Sequence, residues 1–174
     1  MGIKGEKMTL KEKEIEKAIK LRDKIVKKQD IDALFELTDI DDFDIGLFEI
    51  LSNQCNYNPL HLKGAKRTLL LCMFLENYGQ SDSILNFIND EFTDFNDEIV
   101  NALNEIEAFK SAEIIKQAIE LLPKGGTWFF DVADEETKKL MSKFDSRFSD
   151  YPDGKMSILY RKYAEAHKEE LKEK

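Results

Sequence analysis

The sequence predicts an all-α fold, a single-domain bundle of about seven to eight helices, and three observations carry that reading. Apolar residues recur near a 3.6-residue period in successive segments. Most segments open on Ser, Thr or Asp, the side chains that cap helix N-termini. The 174 residues include only 8 Gly and 3 Pro, too few for a turn-rich or low-complexity chain. With 42% apolar residues, a chain of this length buries roughly 70% of its unfolded surface and needs no metal or disulfide staple.

The elements follow in order. Thr9-Leu10-Lys11-Glu12 has the spacing of a capping box and starts a helix running to about Lys28. Asp30 caps a short helix, Ile31 to Leu37. The acidic turn Asp39 to Asp42 leads into a helix carrying Phe43, Leu47, Phe48, Ile50 and Leu51. Asn56-Tyr57-Asn58-Pro59 reads as a turn. A strongly apolar helix from about Lys63 to Tyr78 belongs at the centre of the core. After Gly79, Ser81 or Asp82 caps Ser83 to Phe92, and Asp94 caps a helix carrying Phe95, Ile99, Val100, Leu103 and Ile106. Ser111 caps Ala112 to Leu122, and Pro123-Lys124-Gly125-Gly126 breaks the chain. Trp128-Phe129-Phe130 is too short for a convincing strand, and core packing is its expected role. Asp134 starts a helix to about Phe148. The turn Tyr151-Pro152-Asp153-Gly154 precedes a last helix, Ser157 to about Lys172.

Charge is distributed unevenly along this frame. The net charge is −9, with a pI near 4.9. A surface of that sign argues against nucleic acid or an anionic membrane as the direct partner. Residues 1–29, a basic N-terminal helix, carry +5. Residues 30–174 form an acidic helical domain in which residues 30–109 carry −14 and residues 110–174 are neutral. Residues 68–109 hold no Lys or Arg over 42 positions, whereas solvated helices normally mix signs to gain i,i+4 pairs. Two clusters stand out: Asp39, Asp41, Asp42 and Asp44, then Asp90, Glu91, Asp94, Asp97, Glu98 and Glu105. A solvated acidic face is the plain reading. The sharper one is a partner-binding face. Carboxylates on neighbouring turns stand ~5–6 Å apart, comparable to the spacing of phosphates along a strand. The basic leading helix would neutralise this face if it folded back on it.

Signals for chemistry are sparse. His61 and His167 are far apart, and neither has metal-ligand spacing. Asp39-x-Asp41-Asp42-x-Asp44 resembles the start of a calcium loop, but Asp44 stands where that loop needs Gly and Ile50 where it needs Glu. No phosphate-binding or nucleophile-elbow motif occurs, and no catalytic residue, metal or cofactor is expected. Cys72 reads as a buried hydrophobe and Cys55 as partly exposed. The start Met-Gly-Ile-Lys-Gly-Glu-Lys has no apolar signal region. The longest apolar run, Leu69 to Leu75, has seven residues, against about 20 for a membrane span. A cytoplasmic protein is the expectation.

Three segments carry a resemblance. They are Leu62-Lys63-Gly64-Ala65-Lys66-Arg67-Thr68-Leu69-Leu70-Leu71 with Leu85-Asn86-Phe87-Ile88-Asn89, the helix pair Ala102 to Pro123, and Phe144 to Gly154 followed by Leu159-Tyr160-Arg161-Lys162-Tyr163-Ala164. In order and spacing they resemble the bacterial DNA-mimic-protein family with the DMP nineteen-like domain, over roughly residues 45–170. The chain departs from that family where Glu76-Asn77-Tyr78-Gly79-Gln80-Ser81 replaces an E-x-N-N-G-G-like turn. If the turn shapes a groove, Glu76, Asn77 and Tyr78 line it. The resemblance implies an all-α fold and, in one characterised member, a dimer whose acidic surface imitates DNA and sequesters a transcription factor. The expected function is therefore a non-enzymatic, acidic protein-binding domain whose partner is a basic protein, a DNA-binding regulator, with a homodimer as a further state. The alternative is an immunity or antitoxin-like inhibitor that plugs the basic cleft of a toxin. A third reading is an enzyme using Glu76, Asn77, Tyr78 and His61.

Overall fold

A helix segment that is apolar on every side must be surrounded by protein, and residues 69–75 of α4 (Gly64–Ser81) meet that condition. Ala65, Leu69, Leu70, Leu71, Cys72, Met73, Phe74 and Leu75 are all buried. The computed structural model describes residues 9–173; the first eight residues of the predicted basic segment, and Lys174, lie outside the described residues. Around α4 pack α3 (Ile40–Cys55), α5 (Asn96–Glu105), α8 (Glu135–Ser149), α9 (Met156–Ala166) and α10 (Lys168–Lys172). Helix α1 (Leu10–Lys28) lies on α3, and α6 (Phe109–Glu120) bridges α5 and α8. Two short helices, α2 (Ile31–Phe35) and α7 (Phe129–Val132), complete an all-α domain with no strand among the described residues. Seven of these helices have ten or more residues, within the seven to eight predicted.

Several ends form for the reasons read from sequence. Thr9 and Glu12 make the reciprocal capping box. Asp30, Asp39 and Asp134 accept backbone N–H bonds at the starts of α2, α3 and α8. The leading helix does fold back. Ile25 and Val26 enter the core, and the Arg22 guanidinium donates to Asp42 Oδ1 at 3.1 Å.

Other boundaries move. The predicted turn at residues 76–81 is helix, because α4 continues through Gly79 to Ser81. Glycine suits the position: a Cβ would stand 2.7 Å from the Phe148 ring of α8. The predicted helix Ser83 to Phe92 contains a π-helix, Asn86–Glu91, in which the Phe92 N–H reaches back to Phe87 O at 3.0 Å. Asp94 caps nothing. It sits in a 3₁₀ turn, Thr93–Phe95, ahead of α5. Helix α6 starts at Phe109, not after Ser111, because Asp153 supplies the cap from the α8–α9 loop. Its carboxylate accepts from the Lys110 and Ser111 N–H groups at 2.9 and 2.7 Å. The last predicted helix divides at His167 into α9 and α10. Phe129 is buried as expected, within a single helical turn, while Phe130 is exposed. Cys55 is buried, with its thiol facing Ser52 O, so its predicted partial exposure is corrected.

Candidate functional site

Two members of the first acidic cluster, Asp41 and Asp42, are held by the protein's own cations. Asp39 is occupied as the α3 cap. Asp41 accepts from Lys155 Nζ at 2.5 Å, and Asp42 from Arg22. Nearby, Asp32 lies 2.8 Å from Lys168 Nζ and 2.9 Å from Lys172 Nζ. Asp44, two residues beyond Asp42, turns inward.

The second cluster is different. Asp90, Glu91, Asp94 and Asp97 are all exposed. They come from the π-helix, the 3₁₀ turn and the first turn of α5, and none forms an ion pair among the described residues. Glu98 pairs with Arg67 at 2.6 Å. Glu105 accepts from the Thr68 and Tyr163 hydroxyls at 3.0 and 2.9 Å. Burial, with Glu105 beside it, pushes the Tyr163 phenol up to about 12. No hydrogen bond or ion pair joins the two clusters.

An aromatic seam braces the free ridge from below. Phe92 stacks on Phe74 and on Phe87, both at 5.0 Å between ring centroids. Phe48 meets Phe74 at 5.5 Å, and Tyr78 meets Phe92 at 5.9 Å. The Tyr78 phenol is raised by burial and then by the negative charge of Glu91 and Asp90.

Glu76, Asn77 and Tyr78 do not line a common groove. Asn77 is exposed, and Tyr78 faces Phe92. Glu76 faces α9 and the α8–α9 loop. His61 precedes the far end of α4, where its Nδ1 lies 3.1 Å from Cys55 O. Sequence reasoning missed the cluster Glu76 does join, with Asp44, Tyr151 and Tyr160. The available signal was a lone carboxylate, Glu76, on the otherwise apolar stretch of α4. Burial first, then Glu76 and Asp41, raise the Asp44 carboxyl to about 7, with Lys155 opposing. Burial also raises Glu76, against the pull of the Tyr160 and Tyr151 hydroxyls and of Lys155. Burial and Glu76 push the Tyr151 phenol up to about 12.

A cleft of about 810 Å³ opens at the start of α4, lined in part by Gln54, His61, Lys63 and Lys66. Glu170 closes one side. Its Oε1 accepts from the Ala65 N–H at 2.8 Å and lies 1.8 Å from where a Cβ on Gly64 would stand. Gly64 also has φ +52°, so a larger residue would both strain the backbone and displace the carboxylate. Lys66 donates to Glu173 O, and its ammonium is held below its ordinary pKa by burial. Among the described residues, no group of three His, Cys, Asp or Glu is placed to hold a metal. No helix among them is long and apolar enough to cross a membrane.

A family model described as DMP19-like protein matches residues 61–167, and no curated protein or solved structure matches the chain. The matched span includes the free ridge, Glu76, Tyr151 and Tyr160, and leaves out α1 to α3.

Proposed function

The chain belongs to the DMP19-like protein family, which spans more than half of it, and from that premise we propose a non-enzymatic domain that imitates the charge of DNA and sequesters a basic, DNA-binding regulator. One observation supports this above all. Asp90, Glu91, Asp94 and Asp97 stay exposed and unpaired on a ridge braced by packed aromatic rings. Carboxylates gathered without ion-pair partners repel one another, a cost that no ion pair among the described residues offsets. Their repulsion is relieved when lysines and arginines of a partner arrive, as happens when such side chains neutralise phosphates. The bracing matters as well, because a preformed array binds without first being ordered.

Neutralising the ridge with Asp90→Asn, Glu91→Gln, Asp94→Asn and Asp97→Asn tests the reading. In pull-downs from the source cell's lysate, the natural protein is expected to capture a DNA-binding protein. The neutralised protein is expected to bind it at least about tenfold more weakly at low salt, with the difference closing at high salt. Equal binding at low salt would remove the ridge from the interface. Capture of a toxin instead would move the reading to an immunity-type inhibitor.

A homodimer has a separate apolar contact available. Phe130 is 50% and Val132 58% exposed beside Trp128, so Phe130→Asp is expected to lower the mass seen by light scattering to that of a monomer. A natural protein already monomeric at high concentration would refute this contact.

A further inference from the structure

Asp44 on α3, Glu76 on α4 and Tyr160 on α9 come together where those three helices pack on one another. Tyr151 borders them from the α8–α9 loop. Tyr160 is fully buried, and its hydroxyl lies beside Glu76 without completing a hydrogen bond of normal geometry. Asp44 Oδ1 is also buried without a partner. Polar atoms in such positions are nearly always satisfied.

Positive charge and hydrogen-bond donors are what this site lacks. Lys155 is the one cation whose charge reaches both carboxylates among the described residues, and its Nζ is held outside by Asp41. Asp39 and Asp41 add negative charge on the α3 side. Behind the site, the Cys72 thiol is fully buried and stays neutral.

We propose that Asp44, Glu76 and Tyr160 form a binding site for a guanidinium group, taking an arginine side chain of the basic partner. The proposal rests on the reading of this chain as a binder of basic proteins, and it locates one contact that the exposed ridge does not contain. The unsatisfied oxygens come from two helices and Glu76 from a third, so a planar group with several fixed donors reaches them better than a compact ammonium. The two unsatisfied oxygens are themselves closed off from solvent, so a guanidinium enters only by moving the bordering Tyr151 aside. Asp44 and Glu76 are only half-buried, and Tyr151 is 37% exposed.

A proton is the competing occupant. It satisfies Asp44 by neutralising it, and Asp44 titrates at about 7. A guanidinium that enters a protonated site displaces that proton to solvent, leaving two carboxylates facing one cation. Affinity is therefore expected to rise about tenfold per pH unit below the Asp44 midpoint and to level off above it.

The test follows the Asp44 carboxyl carbon by NMR in the full chain during pH titrations. Methylguanidinium is compared with tetramethylammonium, which has no N–H donor, at equal ionic strength. Methylguanidinium is expected to lower the Asp44 midpoint saturably, by about one pH unit or more, while tetramethylammonium leaves it in place. The Glu76→Gln variant is expected to lose the response. Equal shifts from both cations would mean simple screening and would overturn the site, as would no shift from either. The comparison of cations on the natural chain stands even if the variant does not fold. A flat NMR response sinks this site and leaves the ridge intact, whereas a ridge variant with unchanged partner binding does the reverse.

Discussion

Replacing Phe87 by Ala is expected to remove about 3–5 kcal/mol of stability, measured by urea unfolding. Phe87 has no exposed surface. It sits in the π-helix, and its ring stacks on Phe92 at 5.0 Å. Truncation loses the transfer energy of the ring and opens a cavity between α4 and the ridge, which a π-turn already held by buried Phe87 and Ile88 closes poorly. Neighbouring Asp90 supplies the contrast. It is exposed and unpaired, so Asp90→Asn is expected to change stability by no more than about 0.5 kcal/mol. A Phe87→Ala loss below about 1 kcal/mol would mean that the aromatic seam does not brace the ridge. A substitution of the expected size should also weaken partner binding, because the carboxylates above it lose their fixed spacing.

The second large effect concerns pH. Asp44 has an ordinary carboxyl pKa of 3.8 when unfolded and about 7 when folded. Between those values the folded chain holds a proton that the unfolded chain has released. Stability is therefore greatest below about pH 4 as far as this group is concerned, and it is lost as pH rises through about 7. At about 1.4 kcal/mol per pKa unit the shift sets an upper bound of ~4 kcal/mol, and solvent screening of the partly exposed carboxylate brings the expected loss to about 2–4 kcal/mol. Asp44→Asn keeps the shape and removes the charge. Its expected result is a protein more stable than the natural one at pH 8, by a smaller margin at pH 5, with a flatter stability profile between them. Denaturation midpoints at the two pH values check this, and a variant less stable at pH 8 would show that the Asp44 carboxylate is favoured in the fold.

What the sequence made legible was local. Thr9, Asp30 and Asp134 cap helices because cap and helix lie within a few residues. The apolar run of α4 marked the centre of the core, since burial follows from composition over one window. Misplaced boundaries share one cause, control from a distance. Ser111 looked like a cap, but Asp153, 42 residues away, takes that role. The turn expected at Gly79 is helix, and the Phe148 ring from a distant helix packs where a Cβ would stand. The same holds for the candidate site. The absence of cations from residues 68–109 was plain, and the ridge lies within it. The pairing of Asp41 with Lys155 spans 114 residues, and the meeting of Asp44 with Glu76 and Tyr160 depends on three helices packing together, so neither could be read from spacing.

The carboxylate of Glu170 on the first turn of α4 closes a loop of 105 residues. On the ribosome, the helix with the longest apolar run, Leu69 to Leu75, is made long before that contact becomes available. Until residue 170 has been synthesised, the start of α4 lacks this bond and α10 has not covered it, so a nascent chain presents its greasiest segment in an incomplete setting. Cells making this protein are therefore expected to shield the growing chain with holding factors until α10 has emerged.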